Sequence, residues 1–156
     1  MTDIVDAATR RRMMQGIRGR DTKPELLVRR GLHARGFRYV LGGRGLPGRP
    51  DLVFPSRAVV IFVHGCFWHR HAGCRFAYVP GTRTDFWMTK FEANVRRDHR
   101  QLEQLRALGW NVVTVWECEL RADSVTVIEN LRETLSASES RPPARLQSPR
   151  KHDLHR

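Results

Sequence analysis

The chain has 156 residues, 40% of them hydrophobic, enough for one domain with a real core. Its 28 Lys and Arg against 16 Asp and Glu leave a formal charge of +12, which points to a polyanion and first to nucleic acid. No apolar run approaches a membrane span, no basic amphipathic helix shows a clean apolar face, and no signal-peptide pattern opens the chain, so the expected compartment is the cytoplasm, where three cysteines are better used on a metal than in disulfides.

In chain order, Asp6 to Arg20 reads as a short basic helix with Met13, Met14 and Ile17 near one face. Thr22-Lys23-Pro24-Glu25 is a capping-box pattern that starts a second helix. Leu27, Val28 and Leu32 define its inner face and Gly36 its end. Phe37 to Leu41 is a short strand, followed by a glycine-rich turn from Gly42 to Gly48. Asp51 to Phe54 and Ala58 to His64 are two strands turning at Pro55-Ser56, and the all-apolar run Val59 to Val63 predicts a central strand covered on both faces. The hairpin is antiparallel.

Gly65 to Arg83 is a long loop, a length that calls for a function or a cross-link. Thr84 to Leu108 is a long polar helix with Phe91, Val95, Leu102, Leu105 and Leu108 inside, ended by Gly109. Asn111 to Glu117 is a further central strand, placed by the crossover helix as a parallel neighbour of the hairpin. Ser124 to Leu135 is a last helix with Val125, Ile128, Leu131 and Leu135 at helical spacing. From Ser136 onward Pro, Ser, Arg and Lys dominate, and residues 137–156 read as a disordered basic tail. The class is α/β with a small mixed sheet flanked by helices.

Cys66, His71 and Cys74 fall within nine residues of the long loop, and Cys118 stands at the end of a distant strand. Cys3His is a closed tetrahedral set for structural zinc, and spacing favours that use over small buried hydrophobes. Asp51 stands at the mouth of one strand and His64 at the end of its partner, near His69. Such a group could hold Mg2+ and activate water for phosphodiester cleavage, although Pro-Asp taken alone is better read as a turn. Glu25 is explained by its capping box. Phe67, Trp68 and Trp87 fit two roles equally, wedging between base pairs or packing the loop on the sheet; for Phe86 packing is the better reading. The arginines at Arg10 to Arg12, Arg18, Arg20, Arg29, Arg30 and Arg96 to Arg100 include candidate phosphate contacts.

Several separate motifs occur in order: Leu46-Pro47-Gly48-Arg49-Pro50-Asp51, Val60 through His69, Thr82-Arg83-Thr84-Asp85-Phe86-Trp87, Asn94-Val95-Arg96-Arg97-Asp98, and Gly109-Trp110 through Val115-Trp116-Glu117-Cys118, with Thr9-Arg10 and Arg20-Asp21-Thr22 before them. Over about Asp6 to Arg121 the chain resembles the very short patch repair (Vsr) endonucleases. The resemblance implies a variant of the PD-(D/E)xK nuclease fold over residues 1–136, with a structural zinc. It implies a Mg2+-dependent enzyme that nicks double-stranded DNA 5′ to the thymine of a T:G mismatch left by deamination of 5-methylcytosine.

By the same resemblance Asp51 would bind Mg2+ with the Val63 backbone carbonyl, where some members carry Thr at the Val63 position. His69 would be the general base, and His64 and Glu25 would order metal-bound water. Cys66, His71, Cys74 and Cys118 would hold Zn2+, with one residue more between His71 and Cys74 than some members have. Phe67, Trp68 and Trp87 would be the wedge. The expected partners are mismatched DNA and the proteins of mismatch repair and repair synthesis, with the enzyme a monomer. The rival readings are a restriction-type nuclease that cuts both strands and a zinc module that binds DNA without cutting it.

Overall fold

A computed structural model describes Ala8 and residues 21–138. The expected helix from Asp6 to Arg20, its arginines and the Thr9-Arg10 motif therefore lie outside the described residues apart from Ala8, as does the tail beyond Ser138. The described elements are α1 (Lys23–Ala34), β1 (Val40–Leu41), β2 (Leu52–Phe54), β3 (Val59–His64), the one-turn helix α2 (Cys66–His69), α3 (Thr84–Ala107), β4 (Asn111–Trp116) and α4 (Glu117–Ala137). Among the described residues no helix is long and apolar enough to cross a membrane.

Four strands form one mixed sheet in the order β1-β2-β3-β4. β1 and β2 pair antiparallel, β2 and β3 pair antiparallel, and β3 and β4 run parallel, with α3 as the crossover between them. The apolar run in β3 is explained by two cores. Val59, Ile61 and Val63 face one side, with Val28 and Leu32 of α1 and Ile128, Leu131 and Leu135 of α4. Val60 and Phe62 face the other, with Leu105 of α3, Leu46 and Trp110. Alternate side chains of a strand point to opposite faces, so a strand covered twice must be apolar throughout.

Three elements differ from expectation, each for a local reason. The strand expected from Phe37 shrinks to Val40–Leu41. Gly36 takes φ 86 and the Phe37 N–H donates to Leu32 O at 3.1 Å, so the helix C-terminus takes the donor that a sheet ladder needs. Phe37 and Tyr39 pack on the core without strand pairing. The loop from Gly65 opens with a helical turn, α2. The last helix begins at Glu117, runs to Ala137 and breaks at Asp123 (φ −159, ψ 85), whose carboxylate accepts from Thr126 N–H at 3.1 Å and recaps the second segment.

The helix faces are narrower than their periodicity indicates. Leu27, Val95 and Val125 were expected inside and are 41%, 44% and 64% exposed. Trp87 replaces Val95 as a core residue of α3, beside Phe91 and Leu105.

Candidate active site and metal centre

The β2–β3 and β3–β4 registers build the site. Leu52 pairs with Ile61, so Asp51, just before β2, lies opposite the far end of β3. There the Val63 N–H donates to Asp51 Oδ2 at 2.7 Å. His64 ends β3, and α2 turns the chain back so that His69 stacks on His64, ring centroids 3.8 Å apart and planes 4° from parallel. Asp51, Glu25, His64 and His69 line one cleft of about 1120 Å³. Asp51 and the two imidazoles thus line the same cleft.

The structure also places there a residue to which sequence reasoning gave no role. Asp98 Oδ2 lies 2.7 Å from His69 Nδ1, and Arg97 donates to Asp98 Oδ1 at 3.3 Å. Four residues earlier on the same face of α3, Asn94 Nδ2 donates to Trp68 O at 3.2 Å. One helical turn of α3 therefore holds α2 by its backbone and His69 by its ring. That one-turn spacing within Asn94 to Asp98 was the available signal.

The charges are tuned by burial. Burial lifts the Asp51 carboxyl from 3.8 to about 6, and the negative charge of Glu25 adds to this, while the Val63 N–H and the charges of Arg29 and His69 oppose it. Burial, then the neighbouring His69, drives His64 down to about 3, so His64 is a neutral ring at physiological pH. Burial alone would raise Asp98, but its bond to His69 and the nearby positive charges hold it below the usual carboxylate range. An ionised Asp98 accepts the Nδ1 proton of His69 and leaves Nε2 as the basic nitrogen.

Glu25 combines its two readings. Thr22 Oγ1 accepts from the Glu25 N–H at 3.4 Å, one half of the capping box. The other half differs: Glu25 Oε2 accepts from the Asp21 N–H at 2.9 Å in place of the Thr22 N–H, and from Arg29 at 3.1 Å. Glu25 is the buried charged residue among the described core positions, 4% exposed, and it faces the cleft. Arg44, Arg49 and Arg97 also line the cleft and give its walls positive charge.

A second cluster lies beside the cleft. His64 pairs with Trp116 in the parallel register, so the chains leaving β3 and β4 run side by side, and two residues on they present Cys66 and Cys118. His71 Nδ1 lies 3.3 Å from Cys118 Sγ and 3.8 Å from Cys66 Sγ, its ring stacked on Trp116 with centroids 4.2 Å apart. With Cys74 the four donor atoms lie within 4.8 Å of one another. Burial raises the Cys66 and Cys118 thiols, while the Phe76 N–H lowers Cys74. Three sulfurs and one imidazole nitrogen converging from two chain segments fit a tetrahedral borderline cation.

The Vsr family, described as DNA mismatch endonuclease Vsr, matches residues 2–75. The DNA mismatch endonuclease Vsr of Escherichia coli is 44% identical over 135 residues, 86% of each chain. The chain belongs to the Vsr DNA mismatch endonuclease family. A type II nicking enzyme of Xanthomonas oryzae pv. oryzae is 49% identical over 88% of this chain and all of its own. Another, of Neisseria meningitidis serogroup A, is 40% identical over 80% of this chain and 89% of its own. Family membership makes this chain an endonuclease, and the cleft that gathers Asp51, Glu25, His64, His69 and Asp98 between arginines is its candidate active site.

The aromatic candidates divide by exposure. Phe67 and Trp68 are half-buried and touch each other edge-to-face at 5.0 Å, while Trp87 is 7% exposed and backs them at 5.7 and 5.9 Å. Phe86, expected to be packed away, is 46% exposed, because α3 turns its Trp87 face inward.

A Cys118→Ser variant should bind less metal than the parent chain, read by elemental analysis, and should melt at lower temperature, because the α2 loop is then no longer tied to the first turn of α4. An unchanged metal content would remove Cys118 from the ligand set.

Proposed function

We propose that this endonuclease nicks one strand of duplex DNA on the 5′ side of the thymine in a T:G mismatch, with Mg2+ in the cleft and Zn2+ in the cysteine–histidine cluster. The observation that carries the reading is the common wall of Asp51, His64 and His69, with Asp98 bonded behind His69. The fold is read as a PD-(D/E)xK variant, and the enzyme as a cytoplasmic monomer acting on nucleoid DNA ahead of repair synthesis. A cut in one strand needs one such centre, which favours nicking over double-strand cleavage.

The donors fit a hard cation. Asp51 is a largely buried carboxylate whose proton affinity is raised by burial and by Glu25, and a divalent ion relieves both effects. Asp51 and the Val63 carbonyl would hold Mg2+, with Glu25 and neutral His64 ordering water beside it. Mg2+, when bound, polarises the phosphate and stabilises charge that develops on its oxygens. His69 takes the proton from the attacking water at Nε2, and Asp98 keeps the ring oriented and stabilises the imidazolium that results. Arg44, Arg49 and Arg97 bind flanking phosphates. Phe67 and Trp68, backed by Trp87, form the wedge that opens the base step at the mismatch.

The deciding comparison uses one labelled duplex in paired and T:G form, with and without Mg2+. The reading expects a single nick in the mismatched duplex with Mg2+ alone. Cuts in both strands of the paired duplex would favour a restriction-type nuclease, and binding with no cut under any condition a non-enzymatic module.

Asp98→Asn should bind mismatched DNA normally and lower kcat by roughly 10²- to 10⁴-fold, because the amide cannot fix the same ring tautomer. Normal turnover would show that His69 needs no partner.

Asp51→Asn should abolish nicking yet stabilise the protein in the absence of divalent ions. Asp51 holds its proton more tightly in the fold, at about 6, than its ordinary 3.8. The stability that proton binding contributes is present below about 4 and lost as pH rises through 6. At pH 8 the variant should therefore be more stable by roughly 1–3 kcal/mol, and the gain should vanish near pH 4. Thermal melts check this, and added Mg2+ should raise the wild-type melting temperature and leave that of the variant unchanged.

A further inference from the structure

Arg70 is an arginine that none of the chemistry above uses. It closes α2 in a left-handed conformation (φ 55, ψ 62). Glycine adopts that conformation freely, whereas a side-chain-bearing residue holds it at a cost and needs surrounding contacts to keep it. Those contacts come from its own guanidinium. Nη1 donates to Phe67 O at 3.3 Å and to Tyr78 O at 3.0 Å, and Nη2 donates to Ala77 O at 2.7 Å. The same group lies 3.9 Å from the centroid of the Phe91 ring and 5.9 Å from that of Phe67. One planar fork thus joins the helical turn that carries Phe67 and Trp68 to the returning limb of the loop at Ala77-Tyr78. It also rests on the α3 ring against which Phe67 packs, at 5.2 Å.

The remaining support on the α2 side of this loop comes from Asn94, which bonds the Trp68 carbonyl, and from the metal ligands. The Ala77 N–H donates to Cys74 O at 3.0 Å and the Phe67 and Tyr78 rings meet at 5.2 Å, but neither contact engages the Phe67, Ala77 or Tyr78 carbonyls that Arg70 bridges. Without Arg70 those carbonyls turn to water, and Phe67 loses the cation that caps the cluster beneath it. Inserting aromatic rings into a base step requires them to be held in place beforehand, because ordering them during binding subtracts from affinity.

We propose that Arg70 is a positioning residue for mismatch opening: its guanidinium braces the Phe67–Trp68 wedge from below by bridging the two limbs of the metal loop. The proposal rests on the wedge reading given above. It concerns substrate engagement and leaves the Asp51–His69–Asp98 group untouched.

Arg70→Gly is the informative variant, since glycine keeps the left-handed backbone and removes only the brace. It is compared with Trp68→Ala and the parent chain on a T:G duplex carrying 2-aminopurine beside the mismatch, together with kcat, KM and zinc content. The expected result is a weakened 2-aminopurine rise on binding and a KM higher by about tenfold, with kcat at saturation within about threefold and zinc retained. If Arg70→Gly loses zinc, Arg70→Lys decides by the same split, because it keeps a cation near Phe91 and cannot bridge three carbonyls. A parent-like signal and KM in the deciding variant, with Trp68→Ala defective, would overturn the role of Arg70 and leave the wedge in place. A fall in kcat with KM unchanged would also overturn it. A parent-like signal from Trp68→Ala would remove the wedge itself and this proposal with it.

Discussion

The parallel pairing of β3 with β4, in the register that sets His64 beside Trp116, is the constraint on which the site depends. Two chains leaving adjacent parallel strands at the same level carry Cys66 and Cys118 within reach of one cation. The same alignment sets the start of α2 and so decides where His69 returns. A slip of one residue would turn every β3 side chain to the opposite face. What opposes it is shape, since Val59, Ile61 and Val63 are fitted to the α1–α4 core and Val60 and Phe62 to the α3 core, while a strand apolar on both faces has no polar pattern to hold its register. The energy that holds the register is hydrophobic burial, and the chemistry occupies the rim where that burial stops.

Within the cleft, burial and charge work against each other. Asp51 and Glu25 are both shielded from water and close enough for the Glu25 charge to raise the Asp51 carboxyl, with Arg29 bonded to Glu25 as the nearest compensation. Such an arrangement is unfavourable at neutral pH, and the divalent ion proposed for the cleft would relieve it. Neutral His64 and ionised Asp98 sit on either side of His69. His64 packs a neutral ring on one face of His69, and Asp98 accepts a hydrogen bond at its Nδ1 edge. That asymmetry in a stacked pair of histidines supports the proposal that His69 is the base.

The loop between α2 and α3 is ordered by several weak ties instead of regular structure. The cysteine–histidine cluster, the Asn94 bond to the Trp68 carbonyl and the three carbonyl bonds of Arg70 divide that work. Each holds a different part of the segment, so the aromatic surface beside the catalytic cleft can be rigid although most of its backbone lies outside helix and sheet. On the proposed reading this separates the rings that would meet the bases from the groups that would cut the phosphate, while α3 supports both.

Much of this was legible in the chain. The continuous apolar run of β3, the glycines that end α1 and α3, and the strand–crossover–strand order required a small mixed sheet, because buried backbone and alternating side chains admit few other arrangements. The convergence of Cys66, His71, Cys74 and Cys118 was likewise readable from spacing, whereas Asp51, His64 and His69 were weak candidates by residue type and position and were singled out by the family resemblance. The folded molecule decided what depends on partners far apart in sequence. It paired Asp98 with His69 across 29 residues, turned Trp87 inward and Phe86 outward, left Val95 and Val125 in solvent, and shortened β1 by taking the Phe37 N–H into a helix cap. Periodicity reports which face of a helix is apolar, but only packing determines how wide the covered strip is, and a hydrogen bond between distant side chains leaves no mark on either segment alone.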